Sequence, residues 1–374
     1  MALIGWTALV LSCLYFLAAA LVRWGMSRSR TGATGRTLKT RVSVVIAARD
    51  EEERLPAALA SLKKQTYPTD LWDVTVVDDR SRDRTAAIVR ETAQSWPQLR
   101  LVRVRECPPN LGGKQHALAV GIESTSGDLI LMTDADCILP AAWVEDMVSA
   151  FAPDVGIVAG LATFRPSRSL WVRLQQADLA HLMGAAWGFI GLGMPFSAIG
   201  NNLAVRRATY DEIGGYRALG FTVAEDCALV QRLSRTGPWK VAMAPASATV
   251  ITEASRDFGA FLRQRVRWAS GVRWVRWWQR GILALVLAHR FLMAISVPLF
   301  GFGLLEWTFV LGAWLAWVAG DTLIIAPVAR AVRVPSLRRM TPFVVVWEAI
   351  YQPVVGTIVT FSPRKVGWRD RDTE

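Results

Sequence analysis

The sequence predicts an α/β domain built on a mostly parallel sheet, with membrane-spanning helices before and after it. Three observations carry that prediction. Short β-branched runs alternate with helix-patterned segments between residues 42 and 136. An uncharged stretch, 3–22, stands near the start and is long enough to cross a bilayer. Apolar stretches of similar length return after residue 281. Composition agrees, with 52% hydrophobic residues and 17 Trp among 374, too apolar for an ordinary soluble enzyme.

The first element is an anchor at 1–24. Arg23, Arg28, Arg30, Arg36, Lys39 and Arg41 follow LIGWTALVLSCLYFLAAALV at once, and nothing basic precedes it. The positive-inside tendency then places the N-terminus outside and the next domain in the cytoplasm. Ala18, Ala19 and Ala20 resemble a signal-peptide cleavage site, but the basic n-region of such a peptide is missing, so a retained anchor is expected. The next element is a domain at 40–255. In it VSVVIAARD (42–50), VTVVDD (74–79), LRLVRV (99–104) and DLILMTDAD (128–136) read as strands, and LPAALASLKK and TAAIVRETAQ as helices. Ligands of such sheets meet the carboxyl ends of the strands.

Residues 256–280 (RDFGAFLRQRVRWASGVRWVRWWQR) interleave seven arginines with apolar and aromatic side chains. Ahead of a bilayer span this reads as an amphipathic interface helix, not as a nucleic-acid surface. Residues 169–192 suit a second helix of that kind. Two spans are expected within 281–328, at 282–304 and 306–328. The stretch 341–361 holds Pro342, Glu348, Gln352 and Pro353 and either spans or re-enters. A basic tail, 362–374, carries Arg364, Lys365, Arg369 and Arg371; if all three late stretches cross, it lands outside, against the charge tendency.

Net charge is +12, from 43 Lys and Arg against 31 Asp and Glu. Such an excess suits nucleic acid, an anionic membrane face or a phosphorylated substrate. The place of the basic aromatic run favours the last two, and no nucleic-acid partner is expected. Cys13, Cys107, Cys137 and Cys227 form no CxxC pair, which argues against a disulfide framework or zinc site. Three histidines are too few for a metal cluster built on them.

The most informative stretch is DLILMTDADC (128–137). Side chains alternate along a strand, so Asp134 and Asp136 leave its end on one side. Two carboxylates at a strand exit suit a divalent cation such as Mg²⁺ or Mn²⁺, which takes oxygen ligands and bridges to phosphates. Strand-end aspartates that merely start turns are the plainer alternative. Further features accompany the pair: VVDDRSRDRT (76–85), NLGGKQHAL (110–118), GNNLAVRR (200–207), AEDCALVQRL (224–233) and QRVRW (264–268). By itself Glu225-Asp226 is no more than an acidic helix start.

With VSVVIAARDEEERL, this ordered set resembles the family 2 glycosyltransferases of the GT-A fold. The resemblance is to the membrane-bound branch of cellulose, chitin and hyaluronan synthases and ceramide glucosyltransferases. It covers roughly residues 42–275 and implies an enzyme, a hexosyltransferase drawing on a UDP-sugar donor. By matching position, Asp79 would contact the uracil beside the Ala47–Asp50 strand end, and Lys114 would lie near the diphosphate. Asp136 would be the principal metal ligand, supported by Asp134. Asp226 would act as general base next to Glu225. Gln264, Arg267 and Trp268 would border the diphosphate and acceptor, with Gly200, Asn201 and Trp268 on the acceptor side.

One base facing the leaving group implies a single displacement with inversion. A lipid acceptor at the cell membrane is the preferred reading, because so few helices hardly line a polymer channel and because AED stands where cellulose synthases carry TED. A processive polysaccharide synthase is the alternative. A non-catalytic sugar-binding membrane protein is remoter, since the acidic and QxxRW residues are all intact. The sugar, the lipid and the oligomeric state stay open.

Overall fold

A computed structural model describes residues 2–29 and 39–361; Arg30, Arg36 and the basic tail 362–374 lie outside the described residues. The chain divides into two compact units. The sheet unit comprises 39–165 and 193–253, and the helical unit comprises 2–28, 166–192 and 254–361.

Nine strands build the sheet unit: β1 (Val42–Ala48), β2 (Trp72–Asp79), β3 (Leu99–Val104), β4 (Leu129–Asp134), β5 (Val155–Ala159), β6 (Ala162–Phe164), β7 (Asn202–Arg206), β8 (Lys240–Met243) and β9 (Val250–Thr252). Seven of them form one sheet in the order β3-β2-β1-β4-β7-β5-β8. β1 is parallel to β2 and β4, and β5 to β8, whereas β7 runs antiparallel between β4 and β5. Continuous apolar runs explain the central strands. Every residue of β1 is buried, as expected of a parallel strand covered on both faces, while β3 at the edge exposes Arg100 and Arg103. Register fixes the site: Ala47 lies opposite both Val77 and Asp134, and Ala48 opposite Asp78. β6 and β9 pair separately, with Phe164 opposite Thr252.

The helical unit holds four helices long and apolar enough to cross a membrane, at Leu3–Arg28, Trp277–Gly301, Trp307–Ala331 and Pro335–Phe361. The last continues as α-helix through Pro353 from Thr341 to Phe361. The single interface helix expected over 256–280 is corrected. An α-helix runs only from Phe258 to Ala269, a 3₁₀ turn follows over Ser270–Arg273, and the next helix already starts at Trp277. Asp257 caps the first of these by accepting from the Ala260 N–H at 2.8 Å, and Gly271 is buried at the break.

The helix Leu170–Gly191 also differs from a surface-lying one. It buries Gln175, Gln176, Asp178 and His181 and packs on the helices Ala2–Arg28 and Trp307–Ala331. His181 Nδ1 meets Glu348 Oε1 at 2.6 Å, and Arg290 Nη2 donates to Glu348 Oε2 at 3.2 Å. The Tyr15 hydroxyl and Trp317 Nε1 donate to Asp321. His181, Asp321 and Glu348 thus bring ligand-type atoms within 4.8 Å of one another, a grouping that a count of histidines did not anticipate. Protein donors already occupy its carboxylates, as buried charges among apolar helices require.

Candidate active site

The carboxyl ends of β1, β2 and β4 converge, as parallel strands in register must. Asp134, the last residue of β4, lies two residues before Asp136 in the turn that follows. Asp136 Oδ2 accepts from the Thr252 hydroxyl at 3.1 Å, and Oδ1 lies 3.6 Å from the Cys137 thiol. Burial raises the Asp136 pKa, and the neighbouring Asp134 carboxylate raises it further. Two carboxylates that feel one another's charge at a strand exit are oxygen ligands of the kind a divalent cation takes alongside phosphate and water.

Lys114 is the hinge of the constellation. It is the second residue of the helix Gly113–Glu123, and its Nζ lies 2.7 Å from Asp134 Oδ1 and 3.3 Å from Glu225 Oε1. One ammonium therefore joins the DxD pair to the acidic pair at the start of the helix Glu225–Thr236. Next to Glu225, Asp226 accepts from the Cys227 N–H at 2.7 Å through Oδ1 and from the Gly200 N–H at 2.9 Å through Oδ2. Burial pushes the Asp226 carboxyl up to about 7, with the Glu225 charge adding to the rise and the two N–H groups and Lys114 opposing it. A carboxylate poised near neutrality is suited to proton abstraction.

Gly200 lies against Asp226, and a Cβ there would stand 3.2 Å from Asp226 Oδ2. Asn201 beside it is 7% exposed, and its Oδ1 has no hydrogen-bond partner among the described residues. Ala47 is buried at the end of β1. Asp50 follows in a left-handed conformation, φ 53°, and its Oδ1 accepts from the Arg82 N–H at 2.8 Å. Asp79 is fully buried at the end of β2. The Arg80 guanidinium donates to its two oxygens at 2.8 and 3.2 Å, and Arg49 Nη1 lies 3.7 Å away. Gln264, Arg267 and Trp268 lie on the helix Phe258–Ala269 of the helical unit.

Three residues that pattern reading passed over organise this site. Gln115 Oε1 accepts from the N–H groups of Gly112 and Thr222, both at 3.1 Å. Its Nε2 donates to the carbonyls of Tyr216 and Gly220, both at 2.8 Å. The side chain so fastens the loop that leads into Glu225 and Asp226. Gly112 is a close-packing glycine here, since a Cβ on it would stand 2.5 Å from the Thr222 carbonyl oxygen. Asn202 bonds to the carbonyls of Leu161 and Ala248 and accepts from Trp143 Nε1, tying β7 to the second sheet. Thr252 brings β9 to Asp136. Gly112 and Gln115 lie within NLGGKQHAL and Asn202 within GNNLAVRR, but those motifs drew attention to Lys114, Gly200 and Asn201 instead.

Comparison with known proteins bears on this geometry. The family described as glycosyl transferase family 21 matches residues 5–373. A beta-monoglucosyldiacylglycerol synthase of Synechocystis sp. is 31% identical over 253 residues, 67% of this chain and 52% of that protein. A probable glycosyltransferase of Bacillus subtilis is 31% identical over 242 residues, 63% of this chain and 56% of its own. The chain thus spans about half the length of these curated relatives. Among solved structures, a mannosyltransferase from Pyrobaculum calidifontis in complex with GDP-Man and Mn²⁺ superposes with a TM-score of 0.55 at 20% identity. The match covers 93% of this chain and 99% of that one, a likeness of fold.

Proposed function

Since the chain belongs to glycosyl transferase family 21, we propose that it moves a sugar from a nucleoside diphosphate donor, UDP-linked by preference, to the hydroxyl of a membrane lipid. The observation that carries this reading is the Asp226 carboxylate. It is held by two backbone N–H groups, poised at about 7, and joined through Glu225 and Lys114 to Asp134.

In this reading Asp226 receives the proton of the acceptor hydroxyl while the oxygen attacks the anomeric carbon from the face opposite the diphosphate. The result is a single displacement with inversion. The Gly200 and Cys227 N–H groups fix the direction of the carboxylate's lone pairs, and Glu225 keeps its proton affinity high. Asp134 and Asp136 would hold Mg²⁺ or Mn²⁺, which would supply positive charge against the leaving diphosphate. Lys114 keeps Asp134 in place and lends a second positive charge. Asp79, with Ala47 and Asp50 beside it, faces the base of the nucleotide. Gln264, Arg267 and Trp268 border the diphosphate, and Gly200, Asn201 and Trp268 line the acceptor side.

A lipid acceptor is supported by the four apolar helices and by the name of the Synechocystis relative. The enzyme sits in the cell membrane with its sheet unit in the cytoplasm, as the basic residues after the first span favour.

The test uses membranes containing the protein, radiolabelled UDP-sugars, and Mn²⁺ or Mg²⁺. The label is then partitioned between organic solvent and an ethanol-insoluble fraction. Label in the organic phase, absent with Asp226→Asn, is expected. Label confined to the insoluble fraction would mean a polymer synthase, and no Asp226-dependent label from any donor would mean a non-catalytic protein.

A further inference from the structure

The helix that carries Gln264, Arg267 and Trp268 holds one more residue with an unusual setting. Arg265 is only 3% exposed, and arginine is rarely buried unless its charge is met. Here the partner is Asp178, fully buried on the helix Leu170–Gly191. Its Oδ2 accepts from Arg265 Nε at 3.0 Å and from Nη2 at 2.5 Å. Its Oδ1 accepts from the Tyr351 hydroxyl at 2.6 Å. The carboxylate therefore neutralises Arg265 and is itself fixed by a second helix.

What remains of the guanidinium is turned on the motif. Nη1 donates to Gln264 Oε1 at 2.9 Å, and Cζ lies 4.4 Å from the centroid of the Trp268 ring. The Phe261 ring closes the other side at 4.5 Å. Arginine has no acceptor, so the Gln264 amide must present its oxygen to it, which fixes the direction in which its NH₂ donates. The Ser255 hydroxyl holds the same oxygen from 3.4 Å. Ser255 is in turn gripped by Gln175 at 2.9 and 3.0 Å and by Trp171 Nε1 at 2.8 Å. One buried planar cation thus sets the orientation of two of the three QxxRW side chains. A lysine cannot reproduce a fork, a third donor and a stacking plane at once.

We infer that Arg265, anchored by Asp178 and Tyr351, is a positioning residue that holds Gln264 and Trp268 in the geometry in which the motif meets the donor diphosphate. This rests on the reading above, in which those residues border the diphosphate. Misplacing a group that contacts the reacting centre by about 1 Å is enough for a ~10²-fold loss.

The test is a kinetic cycle on the full chain, reading kcat and donor KM for wild type, Arg265→Lys, Gln264→Ala and the double variant. Arg265→Lys is expected to lower kcat about 10- to 100-fold with donor KM changed by less than about threefold. The double variant should lose less than the product of the two single losses, because part of what Arg265 does runs through the side chain already removed. Losses that multiply would overturn the assignment and make Arg265 a purely structural ion pair.

Tyr351→Phe keeps the ion pair and removes only the hydroxyl, with its bond to Asp178 and a longer one from Gln352 Nε2 at 3.4 Å, so it answers the question should Arg265→Lys fail to fold. A loss of about three- to tenfold is expected from it, and a smaller one once Gln264 is Ala. An equal loss in both backgrounds would again overturn the assignment. Wild-type protein without donor-dependent transfer would overturn the enzymatic reading and this one together. Normal wild-type transfer with a multiplicative cycle sinks this one alone.

Discussion

Asp226 is one carboxylate among the chain's 31 acidic residues, and what distinguishes it is its surroundings. Removing its charge while keeping its shape, Asp226→Asn, should lower transfer by about 10²- to 10⁴-fold while nucleotide diphosphate still binds, as read by initial rates and by calorimetric titration. The raised pKa makes a second prediction. The base works ionised, so the rate should climb with pH up to about 7 and level off above it, falling roughly tenfold per unit on the acid side. Lys114 opposes the rise, so Lys114→Met should move that limb to higher pH; a limb that stays in place would separate Lys114 from the base. The residue types were legible as letters, because TDAD and AED place carboxylates at a strand exit and a helix start. Their pairing was not. Nothing in the sequence joins Lys114 to both Asp134 and Glu225, which are 20 and 111 positions away.

At the scale of elements, the four strands read from β-branched runs are β1 to β4, and three of them, β1, β2 and β4, are the ones whose carboxyl ends converge. β5 to β9 were less visible. β6 and β9 have three residues each, too short for a period to show, and β7 lies inside a stretch noticed only as GNNLAVRR. The loop before Glu225 depends on a side chain from another element. Gln115→Ala leaves two buried carbonyls and two N–H groups to find new partners, at a cost of about 2–4 kcal/mol. Thermal unfolding in detergent should show a melting temperature lower by about 5–10 °C. An unchanged value would mean that the loop is held elsewhere. The basic aromatic run was read as one helix because its composition is even from end to end. Its break, a 3₁₀ turn over Ser270–Arg273 and then the extended Arg276, is local backbone geometry that composition does not register.

For the whole molecule, the GT-A-like α/β fold implied by the motif order is the one observed, joined to apolar helices before and after it. Helices long and apolar enough to cross a membrane were legible because bilayer thickness sets the length to look for. The polar cluster of Tyr15, His181, Arg290, Asp321 and Glu348 was not, since its members come from five different helices and each looks alone like an impurity in an apolar run. Orientation is a prediction at this scale. Protease added to right-side-out vesicles should leave residues 42–253 intact, and added to inverted vesicles should cleave them; the reverse pattern would place the sheet unit outside. The chain spans about half the length of its curated relatives, so the assay for acceptors should include lipid extracts as well as single lipids.

The helices Ala2–Arg28 and Leu170–Gly191 cross so closely that a Cβ on Gly25 would run into the Gly188 carbonyl, and one on Gly188 into that of Val22. The same first helix rests on Ile324 through Ala19, Val22 and Met26. Its neighbours are therefore made long after it is. From Arg28 to Ala331 a ribosome needs about 15–60 s at ordinary elongation rates. For the first half of that interval, until Gly191 is made, the glycine notch has no helix to fill it. The helix Ala2–Arg28 is then among the last to find its complete seat, and a substitution at Gly25 should first show itself as protein degraded during biogenesis, before any change in the activity of what survives.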